Sequence, residues 1–350
     1  MLLWIDGFDH YGSTPSRLLE GAYAAASLVT LSNVNPRTGT RHARIQGAYD
    51  NGLRRVFGDD KEVVGVGFAF ELPSLPTNST SVCLASFRDN GNAVLCSVMV
   101  TSTGQLRLTN GFGTGPVLAT GPVSIVPGSY QHFECRAGIV DGEASVEVRI
   151  NGVTVLNAPG VSLGEDGAPA QVQIGTSGQG VFGFPAYLDV DDLYAWDGEG
   201  SANNDFIGDK KVYTAFPTSD GPDQGWTPSE GTDGFAMLDN VPPLDASQYL
   251  SAVNGGTGGD RSEFGLADYP AEIVSIAGLM TATRFWKTDA GNASATVGLI
   301  SGVSEDVGPE HALSISPRWY HDVFEVDPAT GTPWLLSAVN AAQTAITRTE

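Results

Sequence analysis

The feature that most narrows the folds open to this chain is the alternation running from Tyr130 to Leu156. In YQHFECRAGIVDGEASVEVRINGVTVL, His132, Glu134 and Arg136 interleave with Phe133, Cys135 and Ala137. After Asp141-Gly142, Val146, Val148 and Ile150 interleave with Ser145, Glu147 and Arg149. A period of two sends alternate side chains to opposite faces of a strand, so one face is apolar and the other polar. Asp141-Gly142 and Asn151-Gly152 are steps that take the positive φ of a tight turn. Successive hairpins of this kind describe antiparallel strands that cover a core on one side only, which places His132 toward solvent.

The same reading extends along the chain. Leu2–Ile5 reads as an opening strand, and Glu62–Glu71 as a buried one rich in β-branched and aromatic residues. Ser81–Arg88, Ala93–Thr101, Gln105–Thr109, Gln171–Ile174 and Tyr187–Trp196 follow as further short strands. Only Ser16–Ala25 and Leu335–Ala345 read as helical. The 44 Gly and 20 Pro of the 350 residues suit many strands joined by tight turns. A chain this long exceeds what one hydrophobic core serves, so two domains are expected, 1–200 and 201–350, with Gly198–Asn204 as linker. In the second, Ile207–Ala215, Tyr249–Val253, Ile273–Lys287 and Ala295–Ser301 read as strands, and 217–236 and 254–268 as long loops. The fold class is therefore all-β, two antiparallel β-sandwich domains, the second the smaller and ending in a short helix.

The pattern of Tyr130–Leu156, together with LWIDGFDHYG upstream and LDVDDLYAWDGEG and NNDFIGDKKVYTAFPTSDG downstream, resembles concanavalin A-like and laminin-G-like jelly rolls of tailed-bacteriophage structural proteins. The resemblance covers about residues 1–220. It implies a virion component, tail-associated or fibre-like, that assembles with other virion proteins and with copies of itself and touches host surface glycans. A head decoration protein is the alternative place on the particle. A glycan hydrolase on the same fold is the alternative in kind.

Charge excludes other classes. Forty acidic side chains against 18 basic ones give a net charge of −22, which repels nucleic acid and anionic membrane surfaces. The opening MLLWIDGFDHYG has no signal-peptide form and no long apolar run follows, so synthesis in the host cytoplasm without export or membrane insertion is expected. Within the acidic background, Arg37, Arg41, Arg44, Arg54 and Arg55, with Lys61, form a basic stretch that reads first as scattered solvated charge and, as the sharper alternative, as a docking surface for an acidic partner.

Chemistry-bearing patterns are sparse. Asp189-Val190-Asp191-Asp192 puts Asp189 and Asp191 on one face of a strand and Asp192 on the other, the nearest approach to a hydrolase pair; the plainer reading is an edge strand whose acids cap turns or meet bases. Asp6, Asp9, Asp191 and Asp192, with Asp59 and Asp60, are candidate calcium ligands of the kind this fold gathers. The five histidines lack zinc spacing, and Cys83, Cys96 and Cys135 read as buried thiols. No serine elbow or phosphate loop occurs: Gly175-Thr176-Ser177-Gly178 lacks the elbow's form, and the glycine runs at 111–115 and 255–259 lack a lysine. On these grounds the chain is expected to have no catalytic residues and not to be an enzyme. Trp226, Tyr249, Trp286, Trp319 and Trp334 are the candidates for contact with a glycan or partner, competing with a place in the core.

Overall fold

The computed structural model describes residues 1–46, 52–77, 81–140, 143–163, 167–175, 187–243, 247–252 and 260–350. The predicted turn at Asp141-Gly142, the glycine run 255–259 and most of Gly175–Gly178 lie outside the described residues. The chain is all-β and forms two antiparallel β-sandwich units. The first comprises Met1–Leu19 and Tyr23–Val212, the second Glu20–Ala22 and Tyr213–Glu350. Residues 201–212 thus fold with the first unit.

Among the described residues, the first unit holds an eight-stranded and a seven-stranded sheet. The larger runs in space Val153–Pro159, Glu143–Ile150, Gln131–Val140, Val63–Glu71, Tyr187–Asp197, His42–Gln46 and Val29–Ser32, with Leu2–Asp6 also paired to Tyr187–Asp197. The smaller runs Val117–Val123, Gln105–Asn110, Val94–Thr101, Ser81–Arg88, Gln171–Ile174, Gly52–Val56 and Ala25–Ser27. The alternation read from Tyr130 onward is realised residue by residue: Phe133 pairs with Ile150, Cys135 with Val148 and Ala137 with Val146, all fully buried or nearly so. Phe68, Phe70 and Phe133 pack together there, with Phe68 and Phe133 centroids 4.9 Å apart. Cys83, Cys96 and Cys135 are buried in this core and not joined by disulfides. Cys83 opposes Met99 and Cys96 opposes Phe87, so the two do not face each other across their hairpin.

The outer face of the larger sheet is covered too, which the alternation did not reveal. Gly65 and Gly67 lie opposite Trp196 and Tyr194, and a Cβ at either would stand 2.1 or 2.2 Å from ring atoms. The two glycines leave room for those rings to lie on the sheet. Residues 206–212 then pass over them as a strap: Phe206 packs edge-on against Trp196 with centroids 5.8 Å apart, and the Arg149 guanidinium stands 3.7 Å over the Phe206 ring. His132, expected to face solvent, is only 2% exposed because Tyr194 and this strap cover it. The strand expected at Ile207–Ala215 is this extended segment, without a strand partner.

In the second unit the main described sheet contains Pro217–Gln224, Arg261–Leu266, Gln343–Arg348, Ser294–Ser301 and Ser304–Val307, with His311–Ala312 also paired to Ser294–Ser301. Leu279–Phe285 pairs with Arg318–Phe324 in a separate ribbon. Pro217–Gln224, expected as loop, is an edge strand whose exposed face tolerates its polar residues. The C-terminal helix is only Leu336–Asn340, and Gln343–Arg348 joins the middle of the sheet, because Ala345 and Ile346 fill the core between two strands. Ser16–Ala25 likewise gives one 3-10 turn, Pro15–Leu19, before a strand begins at Ala25.

Candidate functional site

The closing strand Tyr187–Asp197 carries the acids on which the sequence put most weight. It is a central strand, with Val63–Glu71 on one side and His42–Gln46 and Leu2–Asp6 on the other, not an edge. Its register breaks between Asp191 and Tyr194, and Asp192 sits at φ 53 in the left-handed region. A bulge re-aims side chains. Asp192 therefore does not point away from Asp191: both carboxylates reach the Arg37-Thr38 segment. Asp191 Oδ2 accepts from the backbone N–H groups of Arg37 (2.8 Å) and Thr38 (3.1 Å), while Asp192 Oδ2 accepts from Thr38 Oγ1 (3.0 Å) and Arg37 Nη1 (2.8 Å). Asp192 Oδ1 takes the Val212 N–H at 2.7 Å.

Two residues earlier, Asp189 is held bidentately by Arg44, Nε and Nη2 each at 2.7 Å, with His42 Nε2 3.2 Å from Oδ1. The environments divide these acids. Burial works to raise Asp189, but Arg44 and His42 outweigh it and keep the acid below its usual range. Burial and the neighbouring Asp192 charge push Asp191 up to about 8. Tyr130 stands nearby, its phenol pushed up first by burial and then by Asp189, Asp191 and Glu71.

The remaining calcium candidates are occupied separately. Asp6 accepts from Phe8 N–H (2.7 Å), Tyr11 OH (3.0 Å) and Tyr23 OH (2.7 Å). Asp9 Oδ1 accepts from Thr40 N–H (2.6 Å), Thr40 Oγ1 (2.8 Å) and Arg41 N–H (3.0 Å). Gly39 lets that turn close on the carboxylate, since a Cβ there would stand 2.1 Å from Asp9 Oδ2. Among the described residues no three His, Cys, Asp or Glu side chains are placed to hold a metal ion. The proposed calcium ligands Asp6, Asp9, Asp191 and Asp192 are instead buried acceptors, each satisfied by donors of its own chain.

The basic stretch is consumed in the same way. Arg37 pairs with Asp192 and Asp209, Arg44 with Asp189, and Lys61 with Asp197 and Glu199. Arg41 donates to Leu31 O, Arg54 to Asn92, and the Arg55 guanidinium lies 3.8 Å over the Trp4 ring. These cations bind the fold's own groups.

Of the five aromatics, three are core residues. Trp226 packs with Phe264, Phe285 and Ile346 and donates Nε1–H to Asp260 O; Trp334 packs with Phe324 and Val339 and donates to Phe324 O; Trp319 is 6% exposed. Tyr249 is exposed and Trp286 half-buried, and their rings meet edge-on, centroids 6.1 Å apart at 70°. Beside Tyr249, Gln248 donates to Glu230 Oε1 at 2.6 Å and accepts from Asn240.

No family model and no curated protein matches the chain. Among solved structures it is similar to a sialidase of Trypanosoma rangeli, at 13% identity and TM-score 0.33, over 48% of this chain and 26% of that one. It is similar to an alginate lyase of polysaccharide lyase family 7, at 14% identity and TM-score 0.34, over 50% of this chain and 84% of that one. It is also similar to domain 4 of an extracellular arabinanase of Geobacillus stearothermophilus, solved with arabinotriose, at 17% identity and TM-score 0.32, over 48% and 74%. The chain thus spans about a quarter of the sialidase's length. The expectation that the chain is not an enzyme finds no support among these structures, whose names are those of a sialidase, a lyase and an arabinanase. At such identities the likeness is one of β-sandwich fold.

Proposed function

We propose that the protein recognises glycans through the surface of its second unit formed by Tyr249 and Trp286. One observation carries this reading: of the five candidate aromatics, only Tyr249, 37% exposed, and Trp286, half-buried, stay out of the buried core, and their rings meet edge-on at 70°. The C–H face of a sugar ring packs on an aromatic face, and two rings at an angle offer a wall and a floor. Gln248, Glu230 and Asn240 supply amide and carboxylate groups for hydroxyls at the rim. On the phage resemblance, the place of this recognition is a tailed-bacteriophage virion at its host-facing end. The test is a glycan array followed by titration of tryptophan fluorescence. Binding that Trp286→Ala and Tyr249→Ala abolish, with thermal melting unchanged, supports the reading. An array without hits, or binding indifferent to both substitutions, overturns it.

A second reading, a glycan hydrolase, has its own support. Asp189 and Asp191 are two residues apart on one strand and their proton affinities are pushed in opposite directions, as an ionised base and a protonated acid require. Both are buried, so substrate reaches them only if the Arg37-Thr38 segment moves aside. Loss of glycan turnover in Asp191→Asn with the fold intact supports it, and unchanged turnover removes Asp191 from the chemistry.

A further inference from the structure

In a chain with a net charge of −22, no Asp, Glu, Lys or Arg falls between Arg107 and Glu134, nor between Arg149 and Glu165. Burial does not account for this, because Phe112, Val117, Val123, Val126 and Val153 are all exposed. The topology brings the two uncharged stretches together. Val117–Val123 is the last strand of the seven-stranded sheet and Val153–Pro159 the last of the eight-stranded sheet. They adjoin at one margin of the first unit, where a Cβ at Gly121 would stand 2.5 Å from Val155 O. Natural sheet edges are blunted by charge, by Pro or by bulges, and these two edge strands carry Pro122, Pro159 and register breaks but no charge.

We infer that this margin is where two copies of the chain pair, the same surface on each copy meeting about a two-fold axis. Charge selects the occupant. Elsewhere two copies bring net-negative surfaces together, whereas these margins meet without repulsion and cover exposed valines. A basic partner finds nothing here to bind and much on the acidic remainder. The contact is made by side chains and does not continue the sheet, since Pro122 has no N–H and the edge strand's register breaks between Val117 and Ala119 and between Thr120 and Val123.

Sedimentation velocity on the full chain, from sub-micromolar to tens of micromolar, tests this. A dimer is expected in the parent chain, with Val123→Glu and Val153→Glu shifting it to monomer over the whole range while circular dichroism melts stay unchanged. Mixing Val123→Glu with Val123→Lys is expected to restore the dimer, a readout that a merely unfolded variant could not give. A parent chain that stays monomeric at every concentration, or a dimer that survives both glutamates, overturns the inference.

Discussion

At the scale of single residues, the first unit places carboxyl groups where burial governs their protonation. Asp6 is 1% exposed and is pushed up to about 6, first by burial and against the donors Tyr23, Phe8 and Tyr11. A carboxyl with a higher pKa folded than unfolded binds more protons in the folded state, so stability falls as pH rises from about 4 to about 6. A shift of roughly two units corresponds to about 3 kcal/mol. His10 works in the opposite sense, since burial pushes it down to about 3 and the unfolded chain then binds the extra proton between pH 3 and 6.5. The two slopes overlap and are separated by substitution. In urea unfolding between pH 4 and 7, Asp6→Asn, which keeps an acceptor for Phe8, is expected to lose the falling component and become relatively more stable toward neutral pH. A variant whose pH profile parallels the parent's would show that Asp6 is ionised throughout.

At the scale of elements, the most consequential is one that lacks regular structure, the strap at 206–212. Glu134 Oε1 accepts the Ile207 and Gly208 N–H groups at 2.9 Å each and the Tyr194 hydroxyl at 3.0 Å, and Asp192 takes the Val212 N–H. A buried carboxylate holding backbone donors contributes about 1.5–3 kcal/mol per bond. Glu134→Ala is expected to expose the amides of Ile207 and Gly208 to rapid hydrogen exchange while Val146 and Val148 in the neighbouring hairpin stay protected. Unchanged protection at 207 and 208 would show that Phe206 and the Asp192–Val212 bond hold the strap without Glu134. This element also marks where the sequence was legible and where it was not. The hairpins from Gln131 to Pro159 were readable because period two survives in any half-buried strand. The strap was not, because Glu134 alternates as a surface residue would and only the fold brings residues 206–212 over it. Gln343–Ala345, expected as the end of a helix, opens the strand Gln343–Arg348 instead, because its place in the sheet comes from partners distant in sequence, Arg261–Leu266 and Ser294–Ser301. Among the site candidates, the surface pair Tyr249–Trp286 was named but could not be told from Trp226 and Trp334, since burial of an aromatic is decided by packing that a single sequence does not display.

At the scale of the whole molecule, the dominant physical quantity is the excess of 40 acids over 18 bases. Many of the bases are spent locally: Arg37, Arg44, Arg136, Arg149, Arg261, Arg284 and Arg348 each contact a carboxylate of the same chain. What remains uncompensated is negative, and like charges dispersed over a folded surface repel one another. Salt acts on these two populations in opposite directions, weakening exposed pairs and relieving the repulsion. Exposed pairs contribute little, with a median of about 0–1 kcal/mol, and the buried ones are screened least. The repulsion spans distances comparable to the Debye length of about 10 Å at 0.1 M salt, so screening falls mainly on it. Relief of repulsion should therefore prevail. Raising sodium chloride from low concentration to several tenths molar is expected to raise the melting temperature by a few degrees. A fall over that range would instead mean that pairs such as Arg261 with Glu305, both partly exposed, carry more of the fold's stability than their solvent exposure allows.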